Sequence, residues 1–266
     1  MSKITTTKLQ EMKKANKKIT MLTAYDYSMA KILDNAGIDI LLVGDSLSMV
    51  MLGNKNTLPV SMDEMVSFTK AVTKGTTNAL VVADMPFLSY KVDLKDAVYN
   101  AGRLIKDGGA QAVKVEGGEY IAKTILAMIH ADIPVMGHIG LTPQAIHQMG
   151  GYKIQGKNPP SAEKLIEDAK LLEEIGIFAL VLECIPYELA KEITEAIDIP
   201  TMGIGAGPYC DGQVSVIHDI LGLYEEIRPK FVRKYANLTS VITKAVNKYT
   251  KDVQEGKFPT LEESYE

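Results

Sequence analysis

The sequence predicts an α/β fold, a single (β/α)8 barrel of the TIM type with a C-terminal helical tail. Short runs of Val, Ile and Leu without polar alternation recur along the chain, as parallel strands covered on both faces require. Amphipathic segments of helical spacing separate them, giving seven clear β/α repeats and a weaker eighth. The length of 266 residues matches one such barrel, which needs about 250. An open doubly wound sheet, usually of about five or six strands, is the alternative.

The strands are expected at Ile19–Ala24, Ile40–Gly44, Ala79–Ala83, Ala112–Val115, Val135–Ile139, Ala179–Leu182 and Thr201–Ile204, with the weakest near Gln213–Ile217. The helices between them have readable limits. Ser61 and Glu64 form a capping box, Met65, Phe68 and Val72 make an apolar stripe, and Gly75 stops the helix. Ala97, Ala101, Leu104 and Ile105 repeat the spacing up to Gly108. Ile121, Ile125, Met128 and Ile129 do so before Pro134, and Leu189, Ile193, Ala196 and Ile197 before Pro200. The Gly/Pro/Lys stretch Gly150–Pro160 is expected to be a loop over the strand ends. Lys230 to Val253 reads as the helical tail, packed on the barrel or on a neighbouring subunit.

Composition agrees with one globular domain, 1–266. Hydrophobic residues make up 46% and charged residues 23%. The net charge of −4 and a pI near 5.7 leave no basic field for nucleic acid or anionic lipid, so a small-molecule ligand is expected. Cys184 and Cys210 lack CxxC spacing and the density of a disulfide scaffold, which points to a reducing compartment. The N-terminus has no signal-peptide pattern, and runs such as Ile38–Val43 are far shorter than the roughly 20 residues of a membrane span.

Barrels of this class keep their chemistry at the C-terminal ends of the strands. Here strand two leads into Asp45-Ser46, strand three into Asp84, strand four into Lys114-Val115-Glu116, strand five into His138 and strand six into Glu183. Taken singly, Asp45 or Asp84 would serve equally well as a helix cap. Together, several carboxylates on one rim repel one another unless a cation sits among them, and hard oxygen ligands select Mg2+ or a similar ion. Three protein oxygens leave such a site open to substrate.

Lys114 and Glu116, two residues apart on a strand, share a face. Lys114 therefore needs an anionic partner, either a neighbouring carboxylate or the carboxylate of a substrate held beside the metal. Glu183 lies between Leu182 and Cys184-Ile185, an apolar setting that suits a general base; a plain ion pair with Lys114 is the other reading. His138 alone would be an ordinary core histidine, and only its rim position makes it a candidate. Four His and no zinc-spaced cluster argue against zinc. Gly203-Ile204-Gly205-Ala206-Gly207 could bind a phosphate through backbone N–H groups or simply make a tight turn.

Across nearly its whole length the chain resembles the ketopantoate hydroxymethyltransferase family of pantothenate biosynthesis. The segments that carry the resemblance include Thr23-Ala24-Tyr25-Asp26, Leu42-Val43-Gly44-Asp45-Ser46, Ala83-Asp84-Met85-Pro86-Phe87 and Val113-Lys114-Val115-Glu116-Gly117-Gly118. Others are Gly137-His138-Ile139-Gly140-Leu141-Thr142-Pro143-Gln144 and Val181-Leu182-Glu183-Cys184. The resemblance implies that Asp45, Asp84 and Glu116 bind the metal, and that Asp45, Ser46, Asp84, Lys114 and His138 meet the oxo acid. It implies Glu183 as the proton acceptor. It also implies a one-carbon transfer from 5,10-methylenetetrahydrofolate to 3-methyl-2-oxobutanoate through a metal-stabilised enolate, in a cytoplasmic homo-oligomer, often a decamer. A metal-dependent aldolase or lyase on another 2-oxo acid, and a non-catalytic ligand-binding barrel, are the rival readings.

Overall fold

The apolar runs become strands and the amphipathic segments become helices in a computed structural model that describes residues 3–224, 226 and 229–266. The first half runs α1 (Thr6–Lys14), β1 (Ile19–Thr23), α2 (Tyr27–Asn35), β2 (Ile40–Val43), α3 (Leu47–Val50), α4 (Met62–Gly75), β3 (Leu80–Asp84), α5 (Leu94–Lys106) and β4 (Ala112–Glu116). It continues through α6 (Ala122–Ile129), β5 (Val135–Gly140), α7 (Ile146–Met149), α8 (Pro159–Glu174), β6 (Ala179–Glu183) and α9 (Tyr187–Ala196). The last elements are β7 (Thr201–Ile204), β8 (Gly212–Ser215), α10 (Ile217–Leu221) and α11 (Leu238–Gln254).

All eight strands are parallel and form a closed barrel in chain order. Closure comes from β1 pairing with β8, Ile19 opposite Gly212 through Leu22 opposite Ser215, which excludes the open sheet. The strand period of two then sorts the side chains. Ile19, Met21, Ile40, Leu42, Leu80, Val82, Ala112, Met136, Ala179, Val181, Met202 and Val214 pack together as one core, joined by Leu9 and Met12 of α1. Following the same parity toward the C-terminal ends brings Asp84, Lys114, Glu116, His138 and Glu183 onto that inner face, above the apolar layers.

Several boundaries differ from the sequence expectation. Asp84, Glu116 and Glu183 are the last residues of their strands rather than the first residues beyond them. The eighth strand begins one residue early and ends at Ser215, because Ile217 already starts α10. Residues 205–211 carry β7 to β8 without a helix. Gly205 and Gly207 there have positive φ, and a Cβ on Gly207 would lie 2.3 Å from that of Tyr187, so a tight turn in close contact accounts for these glycines.

The Ser61–Glu64 capping box forms as expected. The Gly150–Pro160 segment is a loop only to residue 158. Asn158 caps α8, and Pro159 and Pro160 occupy its first turn, where a missing N–H is harmless.

The chain falls into two compact units, one ending at Val216 and the other Ile217–Glu266. In the second, the tail helix starts at Leu238 rather than Lys230, since the side chain of Asn237 accepts from the backbone N–H of Ser240 and caps it there. Among the described residues no helix is long and apolar enough to cross a membrane, and both thiols are free.

Candidate active site

Five strands aim polar side chains into the mouth of the barrel. Asp45 follows β2 across Gly44, where a Cβ would sit 2.8 Å from Ser46 Oγ. That bare backbone lets the N–H of Asp45 donate to Asp84 Oδ2 at 3.0 Å. Asp84 Oδ1 takes an ion pair from Lys114 Nζ at 2.8 Å, both side chains nearly fully buried. Lys114 Nζ also lies 3.3 Å from His138 Nδ1. His138 stands between two carboxylates, with Nδ1 3.4 Å from Glu116 Oε1 and Nε2 3.1 Å from Glu183 Oε2.

The sequence-predicted residues therefore meet, but with partners the sequence left open. Lys114 neutralises Asp84 rather than Glu183, and Glu183 is held by His138. Ser46 shares a hydrogen bond with the hydroxyl of Tyr25 at 2.9 Å.

Electrostatics follow from this crowding. Burial, then the charges of Asp84 and Glu116, push the Asp45 carboxyl well above the usual carboxylate range. Burial also raises Asp84, although Lys114 pulls against it. Glu116 is held low despite burial because His138 donates to it and Lys114 stands nearby. Lys114 stays firmly protonated, since Asp84, Glu116 and Asp45 outweigh its desolvation. His138 rises to about 9: burial and Lys114 oppose its charge, and Glu116 and Glu183 overcome them.

Among the described residues, no group of three or more His, Cys, Asp or Glu stands ready at ion-gripping distance. The donor set still fits a hard divalent cation. Asp45, Asp84 and Glu116 are buried oxygen donors, the charges of Asp84 and Glu116 raise the cost of ionising Asp45, and Lys114 is the ammonium that pairs with Asp84. Breaking the Asp84–Lys114 pair in favour of an ion would free Lys114 for another anion.

These groups line one cavity of about 140 Å³. Its other walls are apolar, Leu42, Val181, Ile204 and Val214, with Met49, Tyr152 and Thr57 also contributing. The hydroxyl of Thr57 is buried and has no hydrogen-bond partner among the described residues, so it is available to a ligand.

Sequence reasoning also missed Gln144. It is buried behind Asp45 and Glu116, touching both, and nothing in its position along the chain signals that contact.

The family model described as ketopantoate hydroxymethyltransferase matches residues 3–261. A 3-methyl-2-oxobutanoate hydroxymethyltransferase of Geobacter metallireducens is 59% identical over 251 residues, 94% of each chain. One of the same name from Moorella thermoacetica is 56% identical over 264 residues, 99% of this chain and 98% of the relative. Among solved structures, a phosphonopyruvate hydrolase in complex with oxalate and Mg2+ superposes with a TM-score of 0.63 at 14% identity, covering 99% of this chain and 93% of the other, a likeness of fold. With a matched model spanning nearly every residue and relatives this similar end to end, the chain belongs to the ketopantoate hydroxymethyltransferase family.

Proposed function

We propose that this barrel transfers a hydroxymethyl group from 5,10-methylenetetrahydrofolate to 3-methyl-2-oxobutanoate, giving 2-dehydropantoate and tetrahydrofolate, with Mg2+ or a similar ion held by Asp45, Asp84 and Glu116. The observation that carries the reading is one small cavity with Lys114 and three carboxylates on one wall, Glu183 on another and His138 bridging them. A cation there would supply positive charge beside the keto and carboxylate oxygens, making the C3 proton of the oxo acid more acidic.

The side chains divide the remaining work. Lys114 and Ser46 hold the substrate carboxylate, and the apolar wall of Leu42, Val181, Ile204 and Val214 receives its isopropyl end. Glu183 takes the C3 proton. His138, tied to both Glu183 and Glu116, fixes the base relative to the oxygen-binding wall. Water supplies the oxygen as both bonds from the one-carbon unit to folate nitrogens break, its two protons going to those nitrogens as tetrahydrofolate leaves; the carbanionic C3 then bonds to that carbon as its C=O opens, and the oxygen takes a proton to become the hydroxyl. The cavity is too small to enclose the folate as well, so the co-substrate approaches from the mouth, near Tyr152.

Proton NMR in D2O tests this. Exchange at C3 of 3-methyl-2-oxobutanoate should require Mg2+ and proceed without folate, while net turnover should require both. Absence of exchange with the ion present would sink the reading. Thr57→Val, which keeps the shape and removes the orphan hydroxyl, should raise KM for the oxo acid about five-fold, the equivalent of one hydrogen bond of about 1 kcal/mol, with kcat nearly unchanged. An unchanged KM would show that Thr57 does not meet the substrate.

The chain is further proposed to assemble with copies of itself in the cytoplasm. Support comes from the tail helix, where Val241, Ile242, Val246, Tyr249 and Val253 are all exposed, and from two free thiols. Sedimentation of the purified chain at the 29.1 kDa monomer mass would count against assembly.

A further inference from the structure

Gly140 ends β5 with φ +93, and a Cβ there would lie 2.3 Å from the carbonyl oxygen of Glu183. The chain turns at this point, pinned by the N–H of Leu141 on that same carbonyl at 2.8 Å, and runs into the 3-10 turn Pro143–Ala145 over the rim. Gln144 is thereby buried, 4% exposed, with its backbone N–H and both ends of its side-chain amide engaged. Its backbone N–H donates to Glu116 Oε2 at 3.0 Å. Its Nε2 donates to Asp45 Oδ2 and to the carbonyl of Met85, both at 2.9 Å.

The direction of the amide is set by Asp45 and the Met85 carbonyl on one side and Tyr90 on the other. The Tyr90 oxygen accepts from the backbone N–H of Glu116 at 3.0 Å, and its proton faces two acceptors, of which Gln144 Oε1 at 2.8 Å is nearer than the Glu116 carbonyl at 3.2 Å. A flipped amide would aim its oxygen at two acceptors, Asp45 and the Met85 carbonyl, and would take the nearer acceptor away from the Tyr90 proton. One orientation survives.

The geometry points to Gln144, locked by Tyr90, as the positioning residue that sets Asp45 and Glu116 for a shared cation. This rests on the metal reading above. Lys114 already satisfies Asp84 with charge, and a second cation at Asp45 would compete with the ion. A neutral amide orients without competing: it occupies Oδ2 of Asp45 and leaves Oδ1 for coordination. Because the same residue holds Glu116 through its backbone, it ties the carboxylates of β2 and β4 to one rigid turn. Partners of this kind behind metal ligands typically change affinity by about 10–100-fold when removed.

The test is Mn2+ binding to the full chain, followed by electron paramagnetic resonance of the free ion, with apo melting curves as the check on folding. Gln144→Met keeps length and loses both side-chain donors, and its Kd should rise about 10–100-fold. Tyr90→Phe keeps the ring, removes the hydroxyl that anchors Gln144 Oε1, and should weaken binding as well. The double variant should lose less than the product of the two, since Tyr90 acts through the amide. Wild-type Kd in both folded single variants would overturn the proposal. Asp84→Ala separates the two failures: if it abolishes binding while Gln144→Met does not, the positioning role alone is wrong. If the wild-type chain binds no Mn2+, the metal reading falls and takes this one with it.

Discussion

Glu183→Gln is expected to slow solvent exchange at C3 of 3-methyl-2-oxobutanoate by a factor on the order of 10²–10⁴, the usual contribution of a positioned general base. The substitution preserves shape and can still hydrogen-bond His138, whose Nε2 lies 3.1 Å from the carboxylate. Affinity for the oxo acid should therefore change little, because Glu183 stands apart from Asp45, Asp84 and Lys114. The measurement is the decay of the C3 proton signal in D2O with the ion present and folate omitted, which isolates proton removal from carbon–carbon bond formation. Exchange at the wild-type rate would remove Glu183 from the role and direct attention to His138.

The largest effect on stability should come from Lys114→Met. Lys114 is buried, pairs with Asp84 at 2.8 Å and adds to the field that keeps Glu116 ionised. Its loss leaves buried carboxylates facing one another without their ammonium, a change that typically costs about 3–5 kcal/mol. The cost should depend on pH. Removing the cation raises the folded-state pKa of Asp84 further above its unfolded value, because Lys114 is the main influence lowering it. Between those two values the folded variant binds more protons than the unfolded chain, so its stability falls as pH rises. Thermal melts in the presence of a chelator should thus show a larger deficit at pH 8 than at pH 5. A variant that melts like the wild type at both would mean that the carboxylates do not depend on Lys114.

Much of this was legible before folding. Runs such as Leu80 to Ala83 and Ala112, Val113 and Val115 announce strands covered on both faces. Strand parity alone places Lys114 and Glu116 on one side. The rule that barrels work at the C-terminal strand ends then selects Asp45, Asp84, Glu116, His138 and Glu183. Element limits depart from the sequence pattern where local signals are weak. β8 is four residues long with an exposed Gln213, so its limits followed pairing with β1 and β7 rather than its own pattern. The tail helix lost its first expected turns because a cap at Asn237 prevails over apolar spacing further upstream.

The set of chemical groups and the face on which they stand can be read along the chain, since both depend on side-chain type and on a period of two. Who partners whom was decided by tertiary structure. Lys114 reaches Asp84 and not Glu183 because Asp84 on β3 is registered against Lys114 on β4, while Glu183 lies two strands away on β6. Gln144 meets Asp45 across 99 residues of chain because a glycine with positive φ turns its segment back over the rim. Hydrogen bonds act over about 3 Å, and proximity on that scale is a property of the closed barrel.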